Sequence, residues 1–355
     1  MSRIVAAVVV AVGATLATPV PARAADTTAT TTCTITDDRV NGLSGLVATA
    51  DGFVGVSDSN FDASKVRIWF LDAQCHVQRS VRYPTRARDP EDLAMGRDGT
   101  LYVADIGDND RNRPSIAVWR LRPGQTTPKI FRYAYPDGAH DAEAMLLAAD
   151  DTPVFVTKDP ITAGLYVPTG PADPSGTPVP LKKVGTFTLT PTDTDSGVGE
   201  LGGFVVTGGA QPADRGRAVL RSYNDAYEWD VTGGDVVAAI TTAKPRITPL
   251  PDEPQGESIA YTPDGTGYYT VSDEETEPVR TKILRYPAPS GPPAATGSPT
   301  PATASTAAAA RPGGSAPGYQ VGLLVGVIAV GVVLVGFAMV ASIRMTRRPG
   351  GPTGQ

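Results

Sequence analysis

Short runs of β-branched and aromatic residues alternate along most of this chain with turns rich in Gly, Pro and Asp. Between about residues 33 and 288, no segment has the apolar spacing of an amphipathic helix of any length. Runs such as FVGVSDS and RIWFLD have the length of a strand and are bounded by turn residues, which is typical of β-sheet proteins. The pattern therefore predicts an all-β fold for this part of the chain.

The predicted strands recur in five units with one layout. The opening strands are LSGLVAT, PEDLAMG, DAEAMLLA, LGGFVVTG and GESIAYT, beginning at Leu43, Pro90, Asp141, Leu201 and Gly256. Second and third strands follow in every unit, and a fourth follows in the first four units. Antiparallel repeats of four strands and about fifty residues are typical of β-propeller blades.

The fifth unit lacks an outer strand, and the segment TCTITDDRV before the first unit can supply it. That pairing would close the ring and remove free strand edges. We therefore predict a β-propeller over residues 25–288 with five blades, or six if the stretch 160–199 contains another. Cys33 and Cys75 are the only cysteines, and an even number in an exported protein indicates a disulfide. A free thiol or a metal-binding pair is the alternative.

Both ends of the chain differ from the repeats. Residues 1–24 combine Arg3, a short apolar run and a small-residue cleavage site, which predicts a secretory signal peptide. Residues 289–318 consist almost entirely of Pro, Ser, Thr, Ala and Gly and cannot form a packed core, so we expect an extended stalk.

An uncharged run from Val321 to Ile343 follows the stalk. Its length suits a transmembrane helix, which we place within residues 319–343. The short tail 344–355 contains three Arg residues and no acid, so the positive-inside rule places it in the cytoplasm. The expected topology is a single-pass type I protein of the cell membrane with an extracellular propeller.

The charge of the chain becomes more negative once its ends are set aside. The whole chain has a formal net charge of −6, but five of its 31 basic residues lie in the two terminal segments, which contain no acid. The exported part therefore has 11 more acidic than basic residues. Nucleic acid requires a basic surface, so we exclude it as a partner. Cations and basic ligands are favoured instead.

The repeats also predict where charged side chains meet. The first strand of each propeller blade lines the central channel, so equivalent positions become neighbours, and here they include Ser44, Glu91, Glu143 and Glu257. Clustered carboxylates repel one another, whereas Ca²⁺ takes six to eight oxygen ligands. We therefore predict a Ca²⁺ site with the following ligands: Glu91, Glu143, Glu257, Asp58 and Asp273. The alternative is that the glutamates cap backbone N–H groups while nearby cations balance their charge.

Further candidate residues lie near the same end of the strands. Lys158 and Arg221 are predicted to contact a ligand there, together with Asp105 and Asp108 of the loop ADIGDNDRNR. This loop lacks the ligand spacing and terminal Glu of an EF-hand. His140 stands beside two acids and is the one candidate general base. With two histidines in all, a zinc site is not expected.

Several blocks resemble those of a known group of proteins. DPEDLAMGRDGTLYVADIGDN, YPDGAHDAEAM, SYNDAYEWDV and EPQGESIAYTPDG are similar to the recurring blocks of secreted and membrane-anchored actinobacterial β-propeller proteins of largely unassigned function. More distantly, the acid-rich first strands resemble phytase-like propellers, which have six blades. This second resemblance implies a Ca²⁺-assisted phosphoester or ester hydrolase, with Glu91, Glu143 and Glu257 as ligands and Lys158 and Arg221 as anion binders.

Three hypotheses for function follow. The first is a cell-surface, membrane-anchored propeller whose acidic channel mouth binds an extracellular ligand or cation without catalysis. The second is the Ca²⁺-dependent hydrolase that the distant resemblance implies. The third is a platform for protein partners along the rims of the blades. The sequence does not decide whether the protein is an enzyme.

Overall fold

The computed structural model describes residues 28–40, 42–58, 65–195, 197–251, 253–272 and 280–289. All of them belong to one compact unit, Met1–Ala295, and we call them the head. The predicted signal peptide, transmembrane helix and tail lie outside the described residues, as does all but the first residue of the stalk. Among the residues of the head, no helix combines the length and apolar character that a membrane crossing requires.

Strands dominate the head. In chain order they are β1 (Thr30–Thr34), β2 (Leu43–Thr49), β3 (Gly52–Ser57), β4 (Arg67–Asp72), β5 (Val77–Arg82), β6 (Pro90–Met95), β7 (Leu101–Asp105), β8 (Ile116–Leu121), β9 (Lys129–Ala134), β10 (Ala142–Leu147), β11 (Pro153–Thr157), β12 (Thr162–Pro168), β13 (Val179–Thr188), β14 (Gly208–Ala210), β15 (Arg217–Arg221), β16 (Asp225–Asp230), β17 (Arg246–Pro249), β18 (Gly256–Tyr261), β19 (Gly267–Ser272) and β20 (Lys282–Pro287). The all-β prediction is confirmed.

Within the described ranges, the strands form five antiparallel groups of four, which we call blades. The first four blades are β2–β5, β6–β9, β10–β13 and β14–β17, and the fifth is β18–β20 with β1. A short parallel pairing of β13 with β9 joins the second and third blades. The inner strands β2, β6, β10, β14 and β18 contact one another in that order, and β18 contacts β2. They form a closed ring, which is the arrangement of a β-propeller.

The core of the head lies between neighbouring blades. Between the first two blades, for example, Val56 packs with Val103 and Trp119, all of which are fully buried. The inner strands approach so closely that a Cβ on Gly45 would lie 2.6 Å from the backbone nitrogen of Leu93. Only glycine fits this contact, because any side chain would push the two strands apart.

Strand β1 closes the ring. It pairs antiparallel with β20, so that Thr30 lies opposite Arg285. Cys33 on this strand forms a disulfide with Cys75 in the turn after β4, as predicted. The bond therefore joins the fifth blade to the first, and Ile35 beside it packs into the apolar cluster between those blades.

The fourth blade departs from the prediction. The segment LGGFVVTG, predicted as its inner strand, begins with a 3₁₀ helix at Glu200–Phe204, and the strand β14 comes later. Two adjacent glycines, Gly202 and Gly203, weaken a strand because they lack side chains to pack and lose more entropy on ordering. A seven-residue helix, α1 (Val236–Thr242), also lies between β16 and β17 and begins at the N-cap Asp235. This helix was not predicted, because seven residues are too few to show helical periodicity, even though its buried residues Val236, Ala239 and Ile240 have the helical spacing.

Removing the disulfide should destabilise the head substantially. The two cysteines are separated by 42 positions, and for a loop of that size the chain-entropy model gives about 4 kcal/mol. We expect a Cys33→Ala, Cys75→Ala double variant to lose roughly this free energy of unfolding, measured by guanidinium denaturation. A reductant should destabilise the wild type similarly and leave the double variant unchanged. Equal stability of the two proteins would contradict the assigned role in ring closure.

Candidate functional site

Four inner strands carry an irregularity at the same end. The pairing of inner and second strands skips one residue between Leu43 and Gly45, and again at the matching place in β6, β10 and β18. The skipped residues are Ser44, Glu91, Glu143 and Glu257, all of which are buried. A β-bulge of this kind turns a side chain away from its regular direction. We call this end of the ring the channel mouth.

The carboxylates of Asp58, Asp89 and Glu91 come together at the channel mouth. Each offers an oxygen within 4.8 Å of the oxygens of the other two. Glu91 is only 4% exposed, whereas the other two residues are half-buried. Within the described ranges, the carboxylates of Glu91 and Asp89 have neither a hydrogen bond nor an ion pair. Asp58 and Glu91 were predicted as ligands from the repeats, whereas Asp89 was not, because it precedes the strand β6 instead of lying in it.

Gly107 makes room for this carboxylate cluster. It follows β7, and its backbone N–H donates to the carbonyl oxygen of Asp89 at 3.1 Å. A Cβ at this position would clash with Oε1 of Glu91 and would lie 2.6 Å from Oδ2 of Asp89. The glycine therefore permits the two carboxylates to approach the backbone of the β7–β8 loop.

Burial raises the pKa of Glu91 well above its ordinary value, and the negative charges of Glu143, Asp58 and Asp89 raise it further. The positive charge of Lys158 opposes these effects without cancelling them. A carboxylate in these surroundings is unfavourable in its charged form. Protonation of Glu91 or binding of a cation beside it would remove this unfavourable charge.

Glu143 has a partner of its own. Nζ of Lys158 donates to its Oε1 at 2.6 Å. Burial lowers the pKa of Lys158, but the charges of Glu143, Tyr223, Glu257 and Asp141 outweigh burial, so the pKa is raised and the side chain stays cationic. The lysine predicted to bind a ligand thus balances one of the predicted metal ligands.

Glu257 and Asp273 are the two remaining predicted ligands. Glu257 accepts a hydrogen bond from Nε2 of Gln255 at 2.7 Å. Asp273 lies outside the described residues.

Arg221 lies in the fourth blade, and its buried side chain contacts the fifth. Its Nη2 lies 2.9 Å from Oε2 of Glu253, and both side chains are fully buried. Its Nη1 donates to the carbonyl oxygen of Ser258 at 3.0 Å. Glu253 was not among the predicted site residues, and its only signal in the sequence is its position just before the acidic strand GESIAYT. The positive charge of Arg221, which was predicted to contact a ligand, is therefore balanced by Glu253.

Hydrogen bonds to Asp105 and Asp108 hold the loop that follows β7 in place. Oδ1 of Asp105 accepts from Nη2 of the buried Arg113 at 2.9 Å and from the backbone N–H of Asp89 at 3.0 Å. Oδ2 of Asp105 accepts from Nε1 of Trp119 at 3.0 Å. Asp108 accepts from the backbone N–H of Arg113 at 2.8 Å. These carboxylates therefore position Asp89 and the loop, and both oxygens of Asp105 and Oδ2 of Asp108 already accept hydrogen bonds from the protein.

His140 is held on both ring nitrogens. Nε2 lies 3.1 Å from Oδ1 of Asp137 and 3.2 Å from the hydroxyl of Tyr166. Nδ1 lies 3.3 Å from Oδ2 of Asp159. The imidazole also packs against Tyr135 at a centroid distance of 5.0 Å. The candidate general base is thus part of a local network of acids and tyrosines.

No protein-family model matches the chain, and a search of curated proteins also finds no match. Among solved structures, it is similar to a streptogramin B lyase, with 15% identity over 69% of this chain and 65% of that one and a TM-score of 0.34. It is also similar to virginiamycin B lyase from Staphylococcus aureus, with 12% identity over 68% of this chain and 64% of that one and a TM-score of 0.33.

A third similar structure is the glutaminyl cyclase of Myxococcus xanthus, with 13% identity over 73% of this chain and 96% of that one and a TM-score of 0.42. The chain covers less than two thirds of either lyase. Similarity at this level says nothing about the activity or ligand of the chain.

Replacing Gly107 by Ala should disturb the carboxylate cluster. The added methyl group would force Glu91 and Asp89 to move, and overpacking of this kind costs about 1–3 kcal/mol of the free energy of unfolding. Gly170→Ala is the matched control, because a Cβ there meets nothing within 4 Å and should change stability by less than about 0.5 kcal/mol. Guanidinium denaturation of both variants tests this, and equal effects would contradict the crowding at Gly107.

Proposed function

We propose that the channel mouth binds Ca²⁺ through Asp58, Asp89 and Glu91. The observation that carries this proposal is the carboxylate of Glu91, which is buried, close to two other carboxylates and without a hydrogen-bonding or ionic partner in the part of the chain that the structure describes. Leaving such a charge uncompensated costs several kcal/mol, whereas a cation among the three groups would stabilise it.

The spacing of the three carboxylates suits this ion. Ca²⁺ binds oxygen at about 2.3–2.6 Å, so two of its ligands lie at most roughly 5 Å apart. The oxygens of the cluster lie within 4.8 Å of one another. Carboxylate oxygen is a hard ligand that favours Ca²⁺ over zinc. Backbone carbonyls and water would complete the coordination shell.

Three positive side chains near the mouth already have acidic partners, so a bound ion is needed to balance the charge of the carboxylate cluster. Lys158 is bound to Glu143, Arg221 to Glu253 and Arg113 to Asp105. None of these three bonds reaches the carboxylates of Asp89 or Glu91.

We propose binding without catalysis, in the five-bladed head of a protein anchored in the cell membrane. His140, the candidate general base, is held by Asp137, Asp159 and Tyr166. The signal-peptide pattern of residues 1–24 and the uncharged run in residues 319–343 support export and anchoring. The Cys33–Cys75 disulfide is in keeping with an oxidising compartment.

Calcium should stabilise the protein, and Glu91→Gln should remove this response. At a free Ca²⁺ concentration 100-fold above Kd, a single site contributes about 2.7 kcal/mol, which thermal unfolding with Ca²⁺ or EGTA can measure. In EGTA, the variant should be at least as stable as the wild type, because an amide is neutral without binding a proton, whereas buried Glu91 must either bind a proton or carry an uncompensated charge.

The control is Asp51→Asn, which changes an exposed acid in the turn between β2 and β3, at the opposite end of the blade. It should retain the full response to Ca²⁺. The proposal fails if calorimetry detects no Ca²⁺ binding to the wild type, or if Glu91→Gln binds the ion with unchanged affinity.

The effect of Glu91 should depend on pH. Its pKa is raised from an ordinary value of 4.5, so the folded protein retains a proton that the unfolded chain has lost. Stability from this group therefore falls as the pH rises above about 4.5. In EGTA, the thermal midpoint of Glu91→Gln should exceed that of the wild type by a margin that grows from about pH 4 to pH 8. Calcium should reduce this margin, and a margin independent of pH would contradict the assignment.

A further inference from the structure

An apolar patch lies on the rim of the channel mouth between the third and fourth blades. Ile161 and Leu201 are 48% and 47% exposed, more than any other large apolar side chain of the described residues. The backbone N–H of Ile161 donates to the carbonyl oxygen of Phe204 at 2.7 Å. Leu201 and Phe204 lie three residues apart in the 3₁₀ helix and thus on one face of it. We call Ile161, Leu201 and Phe204 the rim patch.

Two glycines fix the orientation of this helix. The backbone N–H of Tyr223 donates to the carbonyl oxygen of Gly202 at 3.3 Å, and a Cβ on Gly202 would lie 3.1 Å from Cβ of Tyr223. A Cβ on Gly203 would collide with the ring of Pro191 at 2.5 Å. The glycines therefore occupy the inner face of the helix, and Leu201 remains outside.

Ile161 is exposed in an unfavourable conformation. Its φ of 69° lies in the left-handed region, which β-branched residues avoid. Hydrogen bonds hold this backbone in place: the N–H reaches Phe204, and the carbonyl oxygen accepts from Leu189 at 2.9 Å. Glycine or asparagine would adopt this positive φ with less strain, and a polar side chain would expose less apolar surface to water. Strained residues of this kind are concentrated at functional sites.

Two exposed acidic residues, Asp193 and Asp195, flank Thr194 near this helix. Nδ2 of Asn224 donates to the carbonyl oxygen of Thr194 at 2.7 Å, and a Cβ on Gly202 would lie 3.1 Å from Oδ1 of the same asparagine. Residues 192–195 are tied to the fourth blade by hydrogen bonds from Thr192 to Asp225. The nearby cations are already paired, Lys158 with Glu143 and Arg111 with Asp159. An apolar surface beside exposed acidic side chains complements an occupant that is apolar and basic.

We infer that the rim patch binds a peptide segment of a partner protein in which an apolar side chain is flanked by Lys or Arg. The apolar side chain covers Leu201 and Ile161, and its basic neighbours meet Asp193 and Asp195. A bilayer surface is a worse match, because anionic headgroups would be repelled by the acids. This contact is separate from the Ca²⁺ site and does not require it.

The test uses the full-length chain and a fluorescent synthetic octapeptide with two central leucines flanked by Lys-Arg pairs. We expect saturable binding by fluorescence anisotropy, and at least tenfold weaker binding to Leu201→Ser and Ile161→Asn. Ile161→Asn should also raise the thermal midpoint, because asparagine tolerates the left-handed backbone. This combination of higher stability and lower affinity would not arise if the patch merely supported the fold.

Control variants and peptides distinguish this contact from nonspecific hydrophobic binding. Met95→Ser changes the other large apolar side chain, 38% exposed at the far end of β6, and should leave affinity unchanged. Peptides with serine for leucine, or with glutamate for the basic residues, should bind at least tenfold more weakly, and Glu91→Gln should bind the original peptide normally. The inference is overturned if the peptide does not bind, if Met95→Ser weakens binding as much as Leu201→Ser, or if vesicles with anionic lipids bind in preference to the peptide.

Discussion

The antiparallel pairing of β1 with β20 holds the ring closed, and the channel mouth exists only while it does. Thr30 and Arg285 meet in this pairing although 255 positions separate them. Contacts at such separation must offset the entropy of ordering the whole intervening chain. The disulfide between Cys33 and Cys75 reduces that entropic cost, and the apolar cluster around Ile35 and Val271 excludes water from the seam. Without this closure, the inner strands would have no common axis and their glutamates would not be neighbours.

Buried charges in the head fall into two kinds. Glu228 is fully satisfied, since one oxygen accepts from Arg246 and the other from the hydroxyls of Tyr261 and Tyr268 at 2.8 Å. A network of this kind ties the fourth blade to the fifth. Glu91 is equally buried, but it faces other carboxylates instead of donors. Because buried polar groups in a well-packed fold normally have hydrogen-bond partners, we assign a structural role to Glu228, which has them, and an ion-binding role to Glu91, which faces carboxylates.

Both proposed contacts lie at the channel mouth, although different features produce them. The carboxylate cluster depends on the bulge at Glu91 and on the space at Gly107. The rim patch depends on the fourth blade, where the 3₁₀ helix Glu200–Phe204 precedes a short inner strand. The blade that departs from the repeat is thus the one that presents apolar side chains. Departures from local sequence preference are expected where a surface serves a ligand.

The sequence by itself determined the strands except the inner strand of the fourth blade, their grouping into repeats, the disulfide and the shared position of Glu91, Glu143 and Glu257. These features follow from local alternation and from equivalence between repeats, which need no knowledge of packing. Only the tertiary structure decided which charges are paired. Lys158 reaches Glu143 and Arg221 reaches Glu253, so Asp89 and Glu91 are left beside Asp58. A repeat pattern places residues on one ring, but the direction of each side chain depends on bulges, on glycine contacts and on loops from other blades, and none of these is encoded locally.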